Sequence, residues 1–145
     1  MTRTLALTML CLFTGRLASG HFAYGHEEMY DCAVERIYVL SDNGDLRLSN
    51  YSNGARGNRF VVSRRTGQIA GSWLTTAKAS SSEVLREGDD SEWSFQGPAR
   101  FDVGKNHSAQ VIEIRRWTPG PQKPFVAAAF GGAGIITGLC ESRST

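Results

Sequence analysis

Apolar and polar residues alternate along most of this chain, and beyond residue 20 no stretch sustains the 3.6-residue spacing of an amphipathic helix. Residues 30–40, YDCAVERIYVL, are rich in β-branched and aromatic side chains and predict a strand. Simple alternation puts Tyr30, Cys32, Val34 and Tyr38 on one face, with Ala33, Ile37 and Val39 on the other. SDNGD (41–45) supplies an Asn-Gly hairpin turn, and LRLS returns from it. NYSNGARGN (50–58) reads as a loop. RFVVS (59–63), the turn RRTG and QIAGSW (68–73) form a second hairpin.

Residues 74–92 are ambiguous. Ser80 and Glu83 fit a helix-capping box, whereas Val84 and Leu85 fit a strand, and the strand reading is preferred. EWSFQ (92–96) predicts a strand that Gly97-Pro98 should break, and AQVIEIRRW (109–117) predicts another. TPGPQKP (118–124) reads as a loop. FVAAAF (125–130) and GIITGLC (134–140) are the last strands, joined by GGAG and followed by a frayed ESRST. GGAG invites a phosphate-loop reading, but no Lys-Ser/Thr follows it and the next residues are strand-like, so a hairpin turn is expected. Gly138 then marks a bulge or a close backbone approach. Short strands with turn chemistry between them predict an all-β, mainly antiparallel single domain, a small barrel or sandwich.

The first twenty residues belong to a different kind of segment. Arg3 precedes an apolar run, Leu5 to Phe13, and Ala18-Ser19-Gly20 ends it with small residues, the layout of a cleaved secretory signal peptide. The organisation expected is a signal over 1–20, a flexible lead-in over 21–29, one β domain over 30–140 and a tail over 141–145. Cys11 leaves with the signal, because Leu10 before it does not fit a lipidation site. The full chain has 16 Lys+Arg and 14 Asp+Glu, and removing Arg3 and Arg16 balances the charge. That takes away the compositional support for nucleic-acid binding, and no later segment is long and apolar enough for a membrane span. Periplasmic or secreted localisation follows, and in an oxidising compartment Cys32 and Cys140 pair by default; two buried free thiols are the alternative.

Chemistry-bearing patterns are sparse. Cleavage after Gly20 would free the amine of His21, which with its imidazole and a second histidine, His26 or His107, would make a tetragonal copper site. The alternative is exposed histidines in a mobile lead-in, with no cofactor. EGDDSE (87–92) gathers carboxylates without calcium-loop spacing and reads as a solvated turn. No serine sits in a nucleophile elbow, so a small hydrolase would have to use His107, expected in a loop. Arg47, Arg56, Arg59, Arg64 and Arg65 cluster around the second hairpin, and Arg59, Arg64 and Arg65 are candidate binding residues for an anionic group or protein. Trp73, Trp93 and Trp117 read as core or rim packing. Asn50 and Asn106 head Asn-x-Ser sequons.

YDC, FVVSRRTGQIAGSW, KPF and TGLC together resemble an uncharacterised family of small exported proteobacterial proteins with Y-x-C, F-x-V-x-R-x-T-G-x-I-x-G, K-P-F and T-G-x-C motifs. Phe60, Val62, Arg64, Thr66, Gly67, Ile69 and Gly71 match the second motif, Lys123, Pro124 and Phe125 the third, and Thr137, Gly138 and Cys140 the last. The resemblance implies export and a Cys32–Cys140 bridge, and no activity. In it Arg64 is either a ligand-binding residue or an electrostatic cap on the turn.

The leading expectation is a non-enzymatic binding or interaction protein of the bacterial envelope, with a protein or envelope component as partner. The alternatives are a copper-binding protein built on His21 and a small hydrolase built on His107.

Overall fold

A computed structural model describes residues 28–103, 106–130 and 134–144. The expectations for the signal segment, for His21 and His26, and for residues 131–133 of the GGAG turn lie outside the described residues. The elements are β1 (Glu28–Leu40), β2 (Leu46–Leu48), a single helical turn α1 (Ser52–Ala55), β3 (Arg59–Ser63), β4 (Ile69–Gly71), β5 (Ser81–Ser82), β6 (Phe95–Val103), β7 (Asn106–Ile114), β8 (Gln122–Phe130) and β9 (Gly134–Ser144). They form one antiparallel sheet, in the order β4-β3-β1-β9-β8-β7-β6-β5 with β2 on a far stretch of β1, curled into a half-barrel.

The curl gives the sheet a concave face, and the apolar alternation fills it. Tyr30, Cys32, Val34, Phe60, Val62, Phe95, Ile112, Ile114, Phe125 and Ile136 are buried there. Two edge-to-face aromatic pairs span the interior between strands that are not neighbours. Tyr30 of β1 meets Phe95 of β6 at 5.4 Å between ring centroids, and Phe60 of β3 meets Phe125 of β8 at 5.1 Å. The open side is crossed by residues 72–84. Leu74 is buried there, Thr76 satisfies both backbone groups of the β4 edge residue Ile69, and Val84 packs against the core.

β1 and β9 are the two longest strands, 13 and 11 residues, and they pair along almost their whole length. Cys32 lies directly opposite Cys140, and the disulfide joins residues 108 positions apart. In a chain-entropy model, closing a loop of that size removes about 4–5 kcal/mol of freedom from the unfolded state.

Several sequence expectations are corrected by this pairing. The register of β1 on β9 slips between Val34 and Arg36, so Glu35 is the extra residue of a β-bulge. The bulge reverses the alternation beyond it: Ile37 points into the core and is buried, while Tyr38 and Leu40 are carried to the outer face. β6 runs through Gly97-Pro98 instead of stopping there. Pro98 accepts the Glu83 N–H, so the side of its backbone that lacks an N–H faces the short β5 edge and not β7. Residues 118–124 are only partly loop, because β8 begins at Gln122. Residues 141–144 are not frayed: they continue β9 and pair with β1 as far as Glu28. Residues 74–92 hold only the two-residue β5 and an isolated Arg86–Gln96 bridge.

The motif glycines have steric reasons. At Gly138 a Cβ would fall on the Ala33 carbonyl oxygen and crowd the Phe125 ring, which is the close approach expected. At Gly67, with φ +70°, it would fall on the Glu83 carbonyl, where the crossing segment meets the turn. Gly138→Ala is therefore expected to destabilise the domain by about 1–3 kcal/mol, the usual cost of overpacking. Urea unfolding with the disulfide intact checks it, and an unchanged midpoint would mean that β1 and β9 separate at no cost.

Candidate binding surfaces

The three candidate arginines do not share a surface. Arg59 lies on the outer face of the sheet, where its Nε and Nη2 reach Asp31 Oδ1 at 2.8 and 2.7 Å. Arg143 of β9 takes the other oxygen, Oδ2, at 2.8 Å. Asp31 is buried and faces Glu141 across the ladder, so the two guanidinium groups stabilise a position that would otherwise set like charges opposite each other. Arg64 turns to the opposite side, pairs with Glu28 and lies 5.5 Å from the Tyr30 ring centroid. Burial, and then the charge of Arg116, holds its pKa below the ordinary arginine value. Arg65 is exposed in the turn.

His107 sits in β7 rather than in the expected loop. Its Nδ1 is 2.7 Å from Asp102 Oδ1, and Ser80 Oγ donates to Asp102 Oδ2 at 2.8 Å. These are the residue types of a hydrolytic triad in a different order. The carboxylate stands between hydroxyl and imidazole, so the Ser80 hydroxyl has Asp102 Oδ2 and, at 2.9 Å, the Arg100 carbonyl oxygen as its acceptors and makes no hydrogen bond to the His107 ring. His107 also lines a shallow groove with Ser81, Pro98, Arg100 and Ser108. Among the described residues no group of three metal-ligating side chains comes together. In EGDDSE, Asp89 Oδ1 is already saturated by the backbone N–H groups of Ser91 and Glu92 and the Ser91 hydroxyl, each at 2.8 Å, which holds its pKa well below the carboxylate range. The tryptophans are half-exposed rim residues; Arg86 stacks on Trp93 at 4.1 Å and Arg115 on Trp117 at 6.0 Å.

The surface that the sequence did not disclose is the β1–β2 ribbon. Leu40 pairs with Leu46 and Tyr38 with Leu48, so these four side chains share one face. Leu40, Leu46 and Leu48 each expose more than half of their surface, as does Tyr51 at the base of the ribbon. Ser41 N–H bonds Asp45, and Ser49 N–H bonds Ile37, at 2.9 and 2.8 Å. By the alternation of an antiparallel ladder, Val39 and Arg47 then form the hydrogen-bonded pair between them, and the backbone groups of Leu46 and Leu48 point away from β1. Among the described residues no strand pairs with the other edge of β2, whose outward-pointing residues also carry the exposed leucines. The Leu-x-Leu spacing was visible in the sequence, but simple alternation put Tyr38 on the same face as Tyr30, Cys32 and Val34, which are buried; the bulge at Glu35 turns it outward.

Comparison with known proteins finds no matching family model, curated protein or solved structure.

The Asp102 cluster makes a pH test. The hydrogen bond from His107, and then the one from Ser80, lowers the Asp102 pKa below its ordinary 3.8. A depressed folded pKa contributes stability that is present above the unfolded value and is lost as pH falls through the folded one. Carboxyl-carbon NMR titration is expected to show Asp102 titrating below the ordinary aspartate value, and His107→Ala is expected to move it up. An unchanged Asp102 midpoint in that variant would remove the pairing.

Proposed function

We propose that this protein is a non-enzymatic binding module that takes a protein partner along the β1–β2 ribbon, acting in the periplasm or after secretion. The observation that carries the reading is the coincidence, on Leu46 and Leu48, of exposed apolar side chains with outward-facing backbone N–H and C=O groups. Exposed apolar clusters rimmed by polar residues mark interaction sites. An unpaired strand edge adds a backbone template that fits an extended peptide segment: main-chain bonds supply affinity, and alternate side chains supply selectivity. Asp42, Asn43 and Asp45 at the tip, with the Ser41 hydroxyl bonded to Asn43 and to the Asp45 carbonyl, keep the turn ordered and polar around that strip. The disulfide and the absence of a long apolar helix among the described residues are compatible with an extracytoplasmic setting.

The test uses the oxidised chain as bait in an envelope extract, with crosslinking and three forms of the protein. The wild type is expected to retain a discrete partner. Leu46→Asp/Leu48→Asp removes the apolar strip at exposed positions where the fold tolerates charge, and Leu48→Pro removes an outward N–H without touching the β1 ladder. Both are expected to weaken capture about tenfold or more, as loss of a central anchor does. Equal capture by all three forms would reject the ribbon as the binding surface.

A further inference from the structure

A second feature stands at the other end of β1 and owes nothing to the ribbon. Tyr30, Asp90, Arg116, Pro121, Lys123 and Glu141 line a cavity of about 380 Å³ at the mouth of the half-barrel. Residues from four separate parts of the chain meet there because β1, β9 and β8 are neighbours and the turn after β7 folds back towards the 87–90 segment.

The Tyr30 side chain is 1% exposed, and among the described residues its hydroxyl finds no hydrogen-bond partner. A buried hydroxyl without a partner is costly and infrequent, and it asks for an explanation at a site. Around it are cations that have been sunk into the protein. The Arg116 side chain is 18% exposed and the Arg64 side chain 19%. Arg116 is aimed by its own hydrogen bond to the Gly88 carbonyl at 2.8 Å, and Lys123 by one to the Thr118 carbonyl at 2.6 Å. Each keeps N–H groups beyond those bonds.

Carboxylates are present too, but they stand further out. Glu28, which pairs with Arg64, is about half exposed; Glu87 is exposed; Glu141 lines the rim and accepts from Gln122 at 3.2 Å. Among the described residues Asp90 is the carboxylate paired with Arg116, at 3.2 Å, and its side chain is 80% exposed. Solvated charges are screened and buried ones are not, so the sunken guanidinium and ammonium groups dominate inside the cavity. Burial pushes the Tyr30 phenol up to about 12, which keeps it protonated and able to donate.

We propose that this mouth binds a single small oxyanion group, a carboxylate or a phosphate, held by Arg116, Lys123 and the Tyr30 hydroxyl in the place where the Asp90 carboxylate now meets Arg116. Arg116 offers the planar fork that suits either group, and Lys123 adds a point charge. The tyrosine supplies a donor that no acceptor among the described residues uses. Asp90, mounted on the exposed 89–93 turn, acts as the internal competitor that the ligand displaces.

The experiment follows the melting temperature of the oxidised full chain at pH 7.5 during titration with inorganic phosphate and, separately, with acetate, chloride holding the ionic strength constant. Ligand binding to the native state raises the melting temperature saturably. Wild type is expected to show that rise with at least one of the two anions. Phosphate alone, acetate alone or both then assigns the group accepted. Tyr30→Phe keeps the ring and its contact with Phe95 and is expected to melt higher than wild type without anion and to lose most of the response. Arg116→Gln is expected to lose it, Asp90→Asn to saturate at several-fold lower anion concentration, and Glu92→Gln, an exposed charge change outside the cavity, to match wild type. Should Arg116→Gln fail to fold, Tyr30→Phe decides alone. A response to neither anion, or an equal response in wild type and Tyr30→Phe, overturns the proposal.

Discussion

The pairing of β1 with β9 is the constraint on which the other elements depend. It joins the first described strand to the last, sets Cys32 opposite Cys140, and holds Gly138 against the Ala33 carbonyl. β3 and β4 are attached to one side of this seam and β8, β7, β6 and β5 to the other. Without it there would be two separate ladders, neither with a concave face to fill. The aromatic pairs show the dependence, since each joins a strand from one side to a strand from the other. Such contacts are far apart in sequence, so chain entropy opposes them until the seam exists, and slow folding of the reduced chain follows.

The same strand determines where the two proposed binding surfaces lie. Tyr30 near the start of β1 forms the floor of the cationic mouth, and Leu40 at its end belongs to the apolar ribbon. At about 3.3 Å per residue, they stand roughly 33 Å apart. Between them is the bulge at Glu35, which decides what the distal half of the strand displays. Upstream of it, odd-numbered Asp31 faces outward and is neutralised by Arg59 and Arg143. Downstream of it, odd-numbered Ile37 faces inward, and the leucines are left outside. A single inserted residue thus converts a strip that would have been core into an exposed face.

Much of the architecture was legible in the sequence because it rests on local chemistry. Asn43-Gly44 and Thr66-Gly67 mark real turns, the apolar runs 59–63 and 125–130 are strands, and Cys32 and Cys140 do pair. The failures share one physical origin. The bulge at Glu35, the survival of β6 through Pro98 and the extension of β9 through Arg143 are each determined by what the neighbouring strand offers, and no window of sequence contains that information. The two proposed surfaces were hidden for the same reason. Arg64 was visible from its motif, but Arg116 and Lys123 join Tyr30 only through strand order and the folding back of the turn after β7. His107 is instructive from the other side: the sequence singled it out without naming partners, and only the geometry brings Asp102 and Ser80 to it and reveals that the carboxylate stands between them.

Because Glu28 and Ser144 are partners in the ladder, the first and last described residues lie side by side. A sheet whose first and last described strands are paired in this way can be spliced into the surface loop of a host, or have those strands joined by a short linker and be reopened elsewhere, with little change to its fold. The exposed 41–45 turn is one such opening, and reopening there would leave the seam, the disulfide and the barrel mouth in one uninterrupted piece of chain. This connectivity makes the fold a modular unit that can be carried as an insertion as readily as it stands alone.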